Sequence, residues 1–178
     1  MTLDAILEAN RRYARAFALS GLEAPPRARL AILTCMDARL EPLAMLGLGP
    51  GDGHVMRNAG GRARDAERSL ALSCAYFGTR RILVVHHTEC GTQNLDDASV
   101  ADRLRAAGAR AVPEGSRFLG FADLDESVRD DVSLLRASPL IPPGVAGDGL
   151  IYDVRSALLR PVDRDPGPAP PSASGRAP

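Results

Sequence analysis

The sequence contains no tryptophan, and its few phenylalanine and tyrosine residues make up 4% of the 178 positions. A hydrophobic core must therefore be built mainly from leucine, valine, isoleucine and alanine. No apolar run approaches the ~20 residues that a membrane-spanning helix needs, so we expect no membrane partner. The first twenty residues mix acids and arginines with apolar residues, and they do not resemble a signal peptide.

The formal net charge is also zero, because 22 arginines balance 22 aspartates and glutamates. The chain therefore lacks the basic surface that binds nucleic acid, and we expect a small-molecule substrate instead. Cysteine occurs three times, and this odd number argues against a disulfide framework. Without an export signal, we expect reduced thiols and a cytoplasmic location.

Apolar stretches of helical and strand spacing alternate along the chain. This alternation predicts an α/β fold, with a mainly parallel β-sheet flanked by helices and an additional N-terminal helix. The length suits a single domain over residues 1–162, followed by a disordered Pro/Gly/Ser/Ala tail over residues 163–178. Helices are predicted at about 3–19, 62–77, 97–107 and 123–136, and strands at 28–34, 54–58, 81–85, 149–154 and near 157–162.

Two strands end in residues that bind metals. The stretch "LAILTCMDAR" reaches Cys35, and "RRILVVHHTECG" reaches His87 and Cys90. Ligands of parallel sheets bind at the carboxyl ends of the strands, where both stretches end. Two thiolates and one imidazole form a known set of zinc ligands that leaves a fourth position open for catalysis. We therefore predict one Zn²⁺ per chain. The neighbouring His86 points to the opposite face of the strand and suits packing or a supporting hydrogen bond.

Asp37 and Arg39 follow the first cysteine at a spacing of two residues. On an extended chain they would share a face with Cys35. Arginine can grip a carboxylate with a forked hydrogen bond, which would orient Asp37 and lower its pKa. A structural zinc site has no use for such a carboxylate, whereas a catalytic site can use it to accept a proton from water. Both residues are therefore predicted to be catalytic. Cys74, by contrast, lies on the apolar stripe of a predicted helix and is assigned to the core.

The order of "CMDAR", "GDGHVMRNAGG" and "HHTECG" resembles that of the β-class carbonic anhydrases. That family carries Cys-x-Asp-x-Arg and His-x-x-Cys in the same chain order, and the likeness runs from Ala31 to Val154. Gly49 stands where many plant-like members have glutamine close to the substrate, so the chain resembles the shorter bacterial branch. The resemblance implies a mainly parallel sheet, with the active site at the interface of a homodimer or a dimer of dimers.

For the site, the resemblance implies that Cys35, His87 and Cys90 hold the zinc and that Asp37 and Arg39 form a dyad beside it. It also implies that Asp37 can swing onto the zinc as a further ligand. The backbone amide of Gly91 is expected to help hold the product anion.

The resemblance implies reversible hydration of carbon dioxide to bicarbonate and a proton. Two alternatives remain open. Hydrolases of carbonyl sulfide and carbon disulfide are similar to this family and retain the same ligands, so ligand spacing does not separate these linear substrates. A non-catalytic zinc protein or a thiol redox sensor would also use the cysteines, although neither has a need for the Asp37–Arg39 pair.

Overall fold

The computed structural model describes residues 1–165, which contain one five-stranded sheet in the order β2-β1-β3-β4-β5. Strands β1 to β4 are parallel to one another, and β5 runs antiparallel to β4. The prediction of a mainly parallel sheet is therefore confirmed. The strand bounds are β1 Leu30–Cys35, β2 Gly53–Asn58, β3 Arg81–His87, β4 Ala146–Tyr152 and β5 Leu159–Asp163.

Within residues 1–165, four α-helices accompany the sheet, and two of them, α2 (Ala63–Phe77) and α4 (Leu124–Ala137), cover one of its faces. Helices α2 and α4 pack there and enclose the main core, which consists largely of leucine, valine, isoleucine and alanine. Helix α2 ends where predicted, because Gly78 adopts a left-handed conformation with φ 72° and its N–H bonds to the Ser73 carbonyl. The helix bounds are α1 Leu3–Arg15, α2 Ala63–Phe77, α3 Asp97–Ala106 and α4 Leu124–Ala137.

Helix α1 ends at Arg15, earlier than the predicted end near residue 19. None of its residues is buried, so no packed neighbour stabilises an additional turn. Its apolar stripe, including Leu3, Ile6 and Tyr13, lies exposed.

Strand β3 extends two residues beyond its predicted end at 85, whereas strand β4 lies earlier than its predicted bounds of 149–154. Strand β3 continues through both histidines, because His86 pairs with Ile151 and His87 with Tyr152. Strand β4 begins at Ala146 and includes glycines that usually weaken a strand. Gly149 is required by close packing, since a Cβ atom at this position would overlap the Val128 side chain of α4.

The segment predicted to be disordered begins with residues that bind the sheet. Asp163 is the last residue of β5. The Asp165 backbone N–H donates to Asp148 over 2.9 Å, and the Asp165 carboxylate accepts from the Gly147 N–H. The sheet supplies partners for these groups, which lie next to the predicted boundary at residue 163. The remainder of the predicted tail, 166–178, lies outside the described residues. Within residues 1–165, no helix has the length and apolar character required to cross a membrane.

Candidate metal centre

Cys35, His87 and Cys90 come together at the carboxyl edge of the sheet. Strands β1 and β3 are parallel neighbours, so Cys35 and His87 end next to each other, and the following turn returns Cys90 to the same point. All three residues are buried, and their ligand atoms lie within 4.8 Å of one another. The sheet topology thus produces the juxtaposition that the strand ends predicted.

The donor atoms of this cluster fit a zinc ion. The two sulfurs are 3.9 Å apart, and two bonds of ~2.3 Å to a tetrahedral zinc would place them about 3.8 Å apart. His87 Nδ1 lies 2.9 Å from the Thr88 carbonyl oxygen and donates to it, which leaves the lone pair on Nε2. His87 Nε2 is buried and lacks a hydrogen-bond partner among the described residues. A bound metal would satisfy this atom.

Without a metal, the two cysteines share a proton. The hydrogen bond between the sulfurs raises the pKa of Cys35 and lowers the pKa of Cys90, so the pair carries one thiolate. Metal binding would release the remaining thiol proton. The Thr92 hydroxyl lies 3.1 Å from the Cys90 sulfur and supports it. Sequence reasoning missed Thr92, although a hydroxyl two residues after a ligand was an available signal.

Arg39 holds Asp37 beside the cluster through a forked hydrogen bond. Arg39 Nε donates to Asp37 Oδ1 over 3.0 Å, and a terminal nitrogen donates to Oδ2 over 2.8 Å. This side-chain hydrogen bond, with a second from the Arg39 backbone, holds the pKa of Asp37 well below its usual range. Asp37 Oδ2 lies 3.8 Å from His87 Nε2. The carboxylate is thus ionised, oriented and close to the cluster.

The local geometry of this pair differs from the extended chain assumed from the sequence. The Leu40 N–H bonds to the Asp37 carbonyl over 3.1 Å, so the segment after Cys35 is a turn. The Asp37 carboxylate accepts the Arg39 N–H inside this turn. Aspartate favours such turns because its side chain can bond to the backbone two residues further on.

Arg57, on β2, fixes the turn that carries the dyad. Its guanidinium donates to the backbone carbonyls of Cys35, Asp37 and Leu40, at 3.0 Å for Cys35 and 3.2 Å for Leu40. The sequence analysis gave Arg57 no role. Its partners are backbone oxygens brought close by the tertiary fold, and the sequence contains no pattern for them.

We predict that Arg57→Met lowers the free energy of unfolding by about 2 kcal/mol, because three carbonyls lose their donor. Chemical denaturation of the metal-free protein measures this change. Arg129→Met is the control, since Arg129 is exposed and lies 3.9 Å from Asp125 in a surface ion pair. Equal stability of the two variants would contradict the assigned role of Arg57.

His86 faces away from the cluster, toward α4. Its Nδ1 lies 2.7 Å from the Ser127 hydroxyl, and its Nε2 lies 3.2 Å from Asp131 Oδ2. Asp131 also pairs with Arg62 and accepts the Ala63 N–H at the start of α2. His86 therefore helps to tie α4 and α2 behind the cluster, and His87 alone of the two faces the cysteines.

A cavity of about 540 Å³ opens beside the cluster. Cys35, Asp37 and Gly91 line it, together with apolar side chains such as Leu95 and Phe118. The cavity therefore offers an apolar approach to the donor atoms. Gly49 does not line it, because Gly49 precedes β2 and lies at the opposite, amino end of the parallel strands. The expectation that this position lies near the substrate is not met within this chain.

Comparisons with known proteins agree with this geometry. The family model described as carbonic anhydrase matches residues 30–110. Beta-carbonic anhydrase 1 of Mycobacterium tuberculosis is 35% identical over 163 residues, which cover 89% of this chain and 96% of that protein. The chain belongs to the β-carbonic anhydrase family. The resemblance stated from the motifs is thereby confirmed.

Other similar proteins include a solved structure with the same fold and an enzyme named for a different substrate. The crystal structure of carbonic anhydrase from Streptococcus mutans is 42% identical, with a TM-score of 0.84, and the match covers 92% of this chain and 99% of that one. Carbon disulfide hydrolase of Acidithiobacillus thiooxidans is 35% identical over 156 residues, covering 77% of this chain and 78% of that protein. Sequence identity to these proteins leaves the substrate undecided.

Proposed function

We propose that this chain catalyses the reversible hydration of carbon dioxide to bicarbonate and a proton. One domain over residues 1–162 would hold one zinc ion through Cys35, His87 and Cys90. When bound, zinc lowers the pKa of water and supplies hydroxide near neutral pH. The observation that carries the proposal is the ionised Asp37 carboxylate, fixed by Arg39 with Oδ2 3.8 Å from His87 Nε2. A purely structural metal site does not require such a group.

The surrounding residues have distinct roles in this proposal. Asp37 accepts a hydrogen bond from water and orients it, while Arg39 keeps the carboxylate ionised and away from the ligand position. The exposed Gly91 lines the same cavity as Cys35 and Asp37, and its backbone amide can donate to the product anion there. The apolar wall formed by Leu95 and Phe118 favours a small nonpolar substrate over water. We also propose a cytoplasmic location, where thiol ligands remain reduced.

A second candidate is hydrolysis of carbonyl sulfide or carbon disulfide. The apolar cavity favours a nonpolar linear substrate in general, and carbon disulfide hydrolases are as similar in sequence as the mycobacterial relative. Stopped-flow assays of the zinc-loaded protein with each substrate separate the candidates. The proposal expects carbon dioxide to give the highest kcat/KM, and a higher value for carbon disulfide would replace it with the second candidate.

Activity should rise from neutral to alkaline pH. The pKa of Asp37 is lowered, so this carboxylate stays ionised above about pH 5 and its titration does not shape the profile. Cys35 and Cys90 would hold the metal as thiolates, and their negative charge would raise the pKa of water at the open position. A pH–rate profile at constant zinc content measures the rise. A rate that falls between pH ~7 and ~9 would contradict this account.

We propose that the chain forms a homodimer, or a dimer of such dimers. Two apolar surfaces lack a partner among the described residues. One is the exposed stripe of α1, and the other is the part of the opposite sheet face around Leu83 and Leu150, which are only partly buried. On that face, Leu83, Leu150 and Pro161 line a cavity of about 770 Å³. A second copy whose α1 covers this face would bury both surfaces.

Ile6→Glu should therefore shift the protein toward monomer at micromolar concentration, because a charge replaces an apolar contact. Light scattering coupled to size-exclusion chromatography measures the mass. Arg12→Gln is the control on the polar side of α1, where Arg12 pairs with Glu8. A wild-type protein that is monomeric, or an Ile6→Glu variant that assembles like the wild type, would count against this interface.

A further inference from the structure

Glu89 occupies an unusual backbone position between His87 and Cys90. Its φ is +56°, in the left-handed region that glycine adopts without penalty. A residue with a side chain is strained there. The Glu89 side chain is half-exposed and directed at Arg39, with its Oε2 3.5 Å from an Arg39 terminal nitrogen. The carboxylate thus contacts the dyad from the loop that carries two of the three donor residues.

Arg39 is held along two edges of its guanidinium group. The edge formed by Nε and NH2 donates to Asp37. The edge formed by NH1 and NH2 faces Glu89, where NH1 approaches the carboxylate and NH2 donates to the Glu89 carbonyl over 3.1 Å. These contacts do not compete, because they use different sides of the planar group. Arg39 therefore cannot turn away from Asp37 without losing the bonds to Glu89.

Arg155 holds Glu89 from the other side. Its guanidinium donates to Glu89 Oε1, so the two oxygens of the carboxylate serve one arginine each. The Arg155 backbone is itself fixed, because Asp153 Oδ1 accepts its N–H over 2.9 Å. The adjacent Val154 N–H donates to the Thr88 hydroxyl over 3.1 Å. The β4–β5 connection thus places Arg155 directly beside the ligand loop.

We infer that Glu89 and Arg155 form a positioning pair that keeps Arg39 engaged with Asp37 and thereby keeps Asp37 away from the metal. Four charged residues form a spatial row from the site outward: Asp37, Arg39, Glu89 and Arg155. Without the outer pair, Arg39 turns more freely and releases Asp37 toward the cluster. This inference rests on the proposed metal site and names residues that control access to its open position.

The test measures iodide binding to the cobalt-loaded protein by its visible absorption, with metal content determined in parallel. Glu89→Gly removes the carboxylate and relieves the backbone strain, so the variant should fold. Removing a negative charge would by itself strengthen anion binding. If Glu89 positions Arg39, the variant releases Asp37, which then competes with iodide for the metal. Iodide should therefore bind the variant about fivefold more weakly than it binds the wild type.

Arg155→Ala should weaken iodide binding in the same way. Arg155→Lys should bind iodide as tightly as the wild type, because lysine keeps the charge next to Glu89. Arg160→Ala is the control, since Arg160 forms a comparable exposed pair with Asp125 of α4. Iodide binding by Glu89→Gly that is equal to or tighter than wild type, at equal metal content, would overturn the inference. Loss of metal from Glu89→Gly would also overturn it, since the residue would then serve the ligand loop. Weaker iodide binding in a protein inactive toward carbon dioxide would leave this inference standing while refuting the proposed function.

Discussion

Arg39→Ala should retain its zinc and lose carbon dioxide hydration by about a hundredfold. Arg39 is not among the proposed metal ligands, so its removal leaves Cys35, His87 and Cys90 in place. It does remove the forked bond that orients Asp37. The released carboxylate lies close enough to enter the open ligand position and exclude water. Stopped-flow rates and zinc analysis on the same sample measure both effects.

Arg27→Ala is a matched control for this experiment. Arg27 Nε donates to Asp52 over 2.9 Å, so this variant also breaks an arginine–aspartate pair, but at the amino end of the strands. Its rate should remain close to that of the wild type. If Arg39→Ala hydrated carbon dioxide as fast as Arg27→Ala at equal zinc content, the dyad would have no role in catalysis.

Cys90→Ala should lose most of its zinc and all measurable hydration. Two protein ligands would remain, and the buried His87 Nε2 would again lack a partner. Because metal binding adds to folding stability, a chelator should lower the Tm of the wild type and leave that of Cys90→Ala nearly unchanged. Metal analysis and thermal unfolding with and without chelator measure these changes.

Cys74→Ala is the control for the loss of a buried thiol. Cys74 lies in the main core, and it is separate from the smaller cluster that contains Cys35 and Cys90. This variant should keep its zinc and its response to chelator, with a stability loss of about 1 kcal/mol from the smaller side chain. Full zinc retention by Cys90→Ala would refute the ligand assignment.

The sequence was most informative where a residue's environment follows from its place on a strand. The apolar run at 28–34 predicted a strand, and the alternation with helices predicted parallel neighbours. These two predictions were sufficient to bring Cys35 next to His87. The period of two along β3 separated His86 from His87, because successive side chains leave a strand on opposite faces. The structure places His86 against α4 accordingly.

The sequence was least informative where a contact depends on the path of a loop. Arg57 bonds to carbonyl oxygens, and every residue supplies such an oxygen, so no residue pattern identifies its partners. Glu89 and Arg155 are 66 positions apart and meet only because β3 and β4 are neighbours. The turn at Asp37 replaced the predicted extended chain because its own carboxylate captures a backbone N–H. The bonds of Arg57 and Arg155 become defined only after the sheet has formed, whereas the bond at Asp37 is local to its turn.

We propose that one zinc ion in the Cys35–His87–Cys90 cluster makes this chain hydrate carbon dioxide. The most direct test titrates zinc into the metal-free protein and measures the stopped-flow hydration rate at each step. We predict a hydration rate that rises linearly with added zinc and stops rising at one zinc per chain. A protein that binds one zinc per chain and remains at the rate of the buffer would contradict it.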